Sequence, residues 1–202
     1  MKHGTRYSPA GPRSAPARGI LRVAAFLLLC ATWGTALLES QARPSEYDVK
    51  AAYLLNFGKF IRMSPRPPAR AHFDICAIGT DPMGGALDSL AAGEQVDGRP
   101  VRIRRMNEAI DARSCDIAYL STNDTGRLDS ELAALGNVDV LTVGDAPNFL
   151  EHGGMIQFVM VANHVRFSVN LNAVHRTHLV LSSELLRVAL TVIGTASGEV
   201  QR

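Results

Sequence analysis

The sequence predicts an α/β domain: three layers, α/β/α, around a mostly parallel sheet of about six strands, with a C-terminal antiparallel hairpin. Three observations predict it. Strand-like and helix-like segments alternate from residue 47 to residue 143, and such alternation implies parallel strands joined by right-handed crossovers, with helices on both faces. Two β-rich runs, residues 155–162 and 165–171, then flank Asn163-His164, which reads as a hairpin with a two-residue turn. Finally, the chain after its N-terminal apolar segment has about 160 residues, enough for one domain with an adequate core.

The elements follow in order. Ser45 and Asp48 resemble a capping box, with Asp in the place of the usual Glu. Residues 47–63 then read as a helix, because Val49, Tyr53, Phe57, Phe60 and Ile61 recur at spacings of three and four. Pro65, Pro67 and Pro68 stop it. Residues 73–78 form a short strand, and Gly79-Thr80-Asp81-Pro82 turns out of it into a helical segment at 83–92. Asp97-Gly98 is a turn, and residues 101–106 alternate like a half-buried strand. Residues 117–120 are an apolar strand. Asn123-Asp124-Thr125 caps a helix over 128–135, which Gly136-Asn137 ends, and residues 138–143 are the next strand. After the hairpin, Ser182 or Ser183 caps a last helix over 184–193, and residues 195–202 read as a loose tail.

The first 42 residues read as a secretory leader. Arg6, Arg13, Arg18 and Arg22 precede a 16-residue apolar run, residues 23–38, and Ser40-Gln41-Ala42 offers small residues at the −3 and −1 positions. The run is shorter than the roughly 20 residues that span a bilayer; an uncleaved anchor is the competing reading. Leu29 before Cys30 argues against a lipidated cysteine. Cleavage leaves residues 43–202 as a single domain, exported, with a bacterial periplasm as the expected compartment. Five of the 21 basic residues and one of the 19 acidic ones precede Arg43, so the remainder carries a net charge of −2. That balance shows no basic patch and predicts no nucleic-acid partner.

Export makes the remaining cysteine pair, Cys76 and Cys115, a candidate disulfide. Cys76 sits mid-strand and Cys115 just before another strand, which can be neighbours in a parallel sheet. Two buried thiols are the alternative.

Other candidate chemistry is sparse. The run from Gly79 to Gly85 lies between a strand and a helix, where a phosphate loop would sit. It is neither G-x-G-x-x-G nor GK[ST], and Pro82 removes a backbone donor. It reads as a turn. His175 and His178 are too few for a structural zinc site, so no metal and no cofactor are expected. No G-x-S-x-G or S-x-x-K occurs, and Ser182-Ser183-Glu184 reads as a helix cap; no catalytic residue is assigned. Lys59 and Arg62, near the end of the first helix, are candidate contacts for an anionic ligand.

Several segments together resemble the YfiR/HmsC family: Val49-Lys-Ala-Ala-Tyr-Leu-Leu-Asn-Phe57 with Lys59-Phe60-Ile61, Ile75-Cys76-Ala-Ile-Gly79-Thr-Asp81-Pro82, Cys115-Asp-Ile-Ala-Tyr-Leu-Ser121, Leu141-Thr-Val-Gly-Asp145, Gly153-Gly154-Met-Ile156, Val165-Arg-Phe167-Ser-Val-Asn170-Leu, and Leu179 through Leu186. The resemblance covers residues 49–189. It implies a periplasmic, non-enzymatic α/β protein that binds the periplasmic part of an inner-membrane diguanylate cyclase and represses it, lowering cyclic di-GMP and biofilm formation. An outer-membrane or lipoprotein antagonist and a homodimer are further expectations about partners. Cys76 and Cys115 match the family's cysteine pair. Two departures stand out: Arg62-Met63-Ser64-Pro65 replaces a frequent Trp-Pro, and no second cysteine pair occurs around residues 145–158. A small-ligand sensing domain without a cyclase partner is the rival expectation, since open α/β sheets place crevices at strand ends.

Overall fold

The computed structural model describes residues 44–63 and 70–194. The expected leader and the C-terminal tail lie outside them.

Helix α1 (Glu46–Phe60) opens with the capping box that the sequence announces. Asp48 N donates to Ser45 Oγ (3.2 Å), and Ser45 N donates to Asp48 Oδ2 (2.8 Å). The helix stops three residues earlier than the periodicity implies. Ile61–Met63 is instead a strand, β1, paired antiparallel with β9 (Leu179–Leu181) in a two-stranded sheet of its own. The buried stripe is also rotated from the expected one. Lys50, Ala51, Leu54, Leu55, Phe57 and Gly58 face inward, while Phe60 is exposed.

The main sheet contains β2 (Phe73–Gly79), β3 (Gln95–Val96), β4 (Arg99–Met106), β5 (Ile117–Ser121), β6 (Leu141–Gly144), β7 (Ile156–Val161), β8 (His164–Asn170) and β10 (Thr191–Ile193). Its order is β10-β8-β7-β6-β5-β2-β4-β3. Five of the neighbouring pairs are parallel; β3–β4 and β7–β8 are antiparallel hairpins. Eight strands replace the expected six, because two short edge strands carry too little pattern to be read. β3 is two residues long. β10 takes the end of the expected last helix: the helix Ser183–Val188 is capped by Ser182, and the β-branched Thr191-Val192-Ile193 run pairs parallel with β8. The hairpin turn is shifted by one residue. Val161 pairs with His164, so Ala162-Asn163 form the turn, with φ of 47° and 61°.

Alternation along each central strand builds a core on each face. Phe73 and Ile75 of β2, with Ile117 and Tyr119 of β5, pack under α1 and α2 (Gly84–Ala91). Cys76 and Ile78, with Ala118 and Leu120, pack on the other face under the 3-10 helix Ala109–Ser114 and α3 (Thr125–Leu135). These are the three layers expected. Cys76 and Cys115 are joined by a disulfide inside the second core, with a Cα–Cα distance of 6.2 Å.

Candidate functional site

β4 lies on one side of β2 and β5 on the other. The connection after β4 therefore reverses direction, which makes the β2/β5 boundary the topological switch point, where open α/β sheets receive ligands. A cleft of about 890 Å³ opens there, at the carboxyl ends of the strands. Thr80 follows β2, Ser121 to Asp124 lead from β5 into α3, and Asp145 follows β6. Glu46, Tyr47 and Lys50 project from the first turns of α1, and Phe158, Val159 and Met160 of β7 form an apolar wall.

The dominant feature at its edge is a buried cation. Lys50 is 3% exposed. Its Nζ lies 2.7 Å from Asp145 Oδ2 and 2.6 Å from Glu46 Oε1, and 5.4 Å from the centre of the Tyr47 ring. Burial alone would depress the ammonium pKa. The hydrogen bonds to Asp145 and Glu46, and their negative charges, outweigh it and hold the pKa above the ordinary lysine range. Lys50 thus stays charged and joins α1 to the end of β6; a lysine poised as a general base would show the opposite shift. Below it, the fully buried Tyr119 hydroxyl makes no hydrogen bond of good geometry. Burial and the adjacent Asp145 carboxylate push its pKa up, so it remains a neutral donor.

The turn after β2 is closed to phosphate by the chain's own carboxylate. Asp81 Oδ1 accepts from the backbone N of Met83 (3.0 Å) and Gly84 (3.1 Å), and Arg105 Nε donates to Asp81 Oδ2 (2.9 Å). The amides a phosphate would need are already occupied. Lys59 and Arg62 do not reach the cleft. Lys59 pairs with Glu94 at 3.2 Å, and Arg62 is exposed on β1. His178 is bound to Asp139 through its backbone N (2.8 Å) and its ring. Among the described residues, no group of three His, Cys, Asp or Glu side chains could hold a metal ion.

Several cleft residues stand in segments that the sequence makes recognisable, among them Lys50, Thr80, Pro82, Ser121 and Asp145, but nothing in the sequence marks them as one site. The segment at residues 49–57 contains Lys50 but assigns it no role. The usable signal was the i,i+4 pair Glu46–Lys50, which places both at the start of α1.

Fold order and cleft position define a three-layer α/β domain with an open crevice at the carboxyl ends of its strands. The chain belongs to the YfiR/HmsC-like family, whose model matches residues 47–190. No curated protein matches it closely. Among solved structures it is similar to a conserved domain protein from Vibrio cholerae (11% identity, TM-score 0.49), covering 73% of this chain and 60% of that one. It is likewise similar to an ABC domain from Streptococcus pneumonia solved in complex with L-Trp (12% identity, TM-score 0.49), covering 71% and 60%. The chain therefore spans about 60% of the length of these structures.

Proposed function

We propose that the chain is a periplasmic regulatory protein that binds the periplasmic part of an inner-membrane diguanylate cyclase and holds it inactive, lowering cyclic di-GMP and surface attachment. Membership of the YfiR/HmsC-like family over residues 47–190 carries this reading. The disulfide fits an oxidising compartment. Lys50, held charged by Asp145 and Glu46 with its pKa above the ordinary lysine range, fits a binding rather than a catalytic role for the cleft. Repression requires that the protein bind the inactive state of the cyclase more tightly than the active one.

The test is genetic. Deleting the gene in a strain that expresses the cyclase should raise cyclic di-GMP and attachment. Re-expression with the leader should restore both, and expression of residues 43–202 alone in the cytoplasm should not. Unchanged cyclic di-GMP in the deletion strain overturns the reading.

The cleft at the switch point favours a second reading, in which the domain senses a small polar ligand. A thermal-shift screen of polar metabolites tests it. A shift that Lys50→Met or Asp145→Asn abolishes supports ligand sensing, and no shift with any of them counts against it.

A further inference from the structure

A charge imbalance lies at the opposite end of the sheet from the cleft. Asp74, in β2, and Arg102, in β4, are paired in register, and Arg104 lies beside Cys76. All four therefore point to the face that carries the disulfide. Arg102 forks onto the buried Asp74 carboxylate, with Nε–Oδ1 at 2.7 Å and NH2–Oδ2 at 2.8 Å. Arg104 reaches the same carboxylate only at 3.8 Å and donates to Ser114 Oγ at 3.3 Å. Arg70 donates from another segment to the carbonyl oxygen of the same Ser114, at 2.5 Å. Nearby, Arg99 and Asp116 balance each other at 2.9 Å. Three guanidinium groups thus converge on one carboxylate and one serine; among the described residues Asp74 is shared by Arg102 and Arg104, which leaves a local excess of positive charge. The side chains of Arg102 and Arg104 are 48% and 35% exposed. This local excess stands out in a chain whose part beyond residue 42 is net negative.

Guanidinium groups are weakly hydrated planar forks that match the oxygens of phosphate. Asp74 and Ser114 fix the three forks in place, so little side-chain freedom is lost on binding. The cluster is open rather than enclosed, which suits a layer of headgroups better than capture of a single free ion.

We propose that Arg70, Arg102 and Arg104 form a site for phosphate-class oxyanions, supplied by anionic phospholipid headgroups, that seats this face on the membrane. The choice of source rests on the proposed role beside an inner-membrane partner. The arginine geometry does not depend on that role.

The experiment is co-sedimentation of the mature protein with vesicles containing phosphatidylglycerol, against vesicles of phosphatidylcholine alone. The protein should sediment only with the anionic vesicles, and less as salt screens the charges. Arg70→Gln with Arg104→Gln should weaken partitioning about thirtyfold, to which about 1 kcal/mol per arginine converts. Arg70→Lys with Arg104→Lys should retain it within a few-fold, which separates loss of charge from loss of fold. Arg102 is left in place because Asp74 depends on it. Inorganic phosphate, followed by thermal shift, distinguishes the sources. A phosphate response lost in the Gln pair, without vesicle binding, keeps the oxyanion site and overturns the lipid source. Vesicle binding unchanged in the Gln pair overturns the site. So does a Gln pair that loses contact with the cyclase's periplasmic domain in solution while vesicle binding persists, since the patch is then a protein contact. None of these outcomes depends on whether deletion raises cyclic di-GMP.

Discussion

Lys50 Nζ lies 2.7 Å from Asp145 Oδ2, linking the second turn of α1 to the loop that leaves β6. The two residues are 95 positions apart. With Glu46 as its second partner, the contact fixes the α1 wall of the cleft against the sheet. Removing the cation would strand a partly buried carboxylate, whereas removing both charges would not. Lys50→Met should therefore lower unfolding free energy by about 1–3 kcal/mol, less than for a fully buried pair because Asp145 and Glu46 keep 26% and 38% of their side-chain surface exposed. Lys50→Met with Asp145→Leu should recover part of that loss. A urea double-mutant cycle measures the coupling, and strictly additive effects would refute the clamp.

Asp74 predicts a pH dependence. Burial works to raise its pKa, but the Arg102 fork, with Arg104 and His72 nearby, wins and holds it below the ordinary carboxylate value. A depressed folded-state pKa means that the stabilisation is fully present above the unfolded-state pKa, near about 3.9, and is lost as pH falls through the lower folded value. Asp74→Asn should be less stable than the parent at neutral pH. The gap should narrow as pH falls below about 4. Urea midpoints across that range provide the measurement; a gap that stays constant would contradict the assignment.

The Cys76–Cys115 bridge closes a loop of sequence separation 39. In the chain-entropy model this contributes about 4 kcal/mol. Both sulfur-bearing residues are fully buried, so alkylation after mild reduction should require denaturant. The Cys76→Ala, Cys115→Ala pair should unfold about 2–5 kcal/mol more easily. Rapid labelling of both thiols in the native protein without reductant would disprove the bridge.

The hairpin between β7 and β8 offers a gain. Ala162 and Asn163 both occupy the left-handed region, with φ of 47° and 61°, as a primed two-residue turn requires. Asparagine tolerates that region, whereas alanine does not. Ala162→Asn with Asn163→Gly should stabilise by about 1 kcal/mol, a rise of about 2–4 °C in Tm for a domain of this size. A fall in Tm would show that the turn is not of this type in solution.

The same turn shows where the sequence stopped being legible. Strand content around it was plain, but a one-residue shift of the turn depends on which residues pair, and Asn163 attracted the assignment to Asn163-His164. The helix at residues 46–60 was legible from its cap and periodicity. Its end was not, because Ile61 continues the helical spacing, and only Leu179–Leu181, far along the chain, converts it to β1. The cysteine pair was legible because the expected loss of the leader leaves two cysteines, and an expected oxidising compartment favours joining them. The cleft was not. Its walls come from α1, β2, β5, β6 and β7, and the Lys50–Asp145 pair depends on the tertiary fold. The arginine cluster was hidden for the same reason: overall charge balance masks an imbalance that forms only when Arg70, Arg102 and Arg104 converge.

The segment after β6 is held by an aromatic wedge. Phe149 is fully buried, and a Cβ placed at either Gly144 or Gly154 would overlap its ring. Neither glycine has a positive φ, so the requirement is space rather than backbone conformation. Gly154 N also donates to Phe149 O at 3.0 Å, closing the loop on itself. Because Gly144 immediately precedes Asp145, the wedge sets where the Asp145 carboxylate meets Lys50. Gly144→Ala should destabilise by about 2–3 kcal/mol through overpacking. Phe149→Leu alone should cost about 1–2 kcal/mol through a partial cavity. The two together should cost less than their sum, because the smaller side chain makes room for the new methyl group. Chemical denaturation of the four proteins, including the parent, decides it. Additive costs would show that Gly144 is required for a reason other than the Phe149 ring.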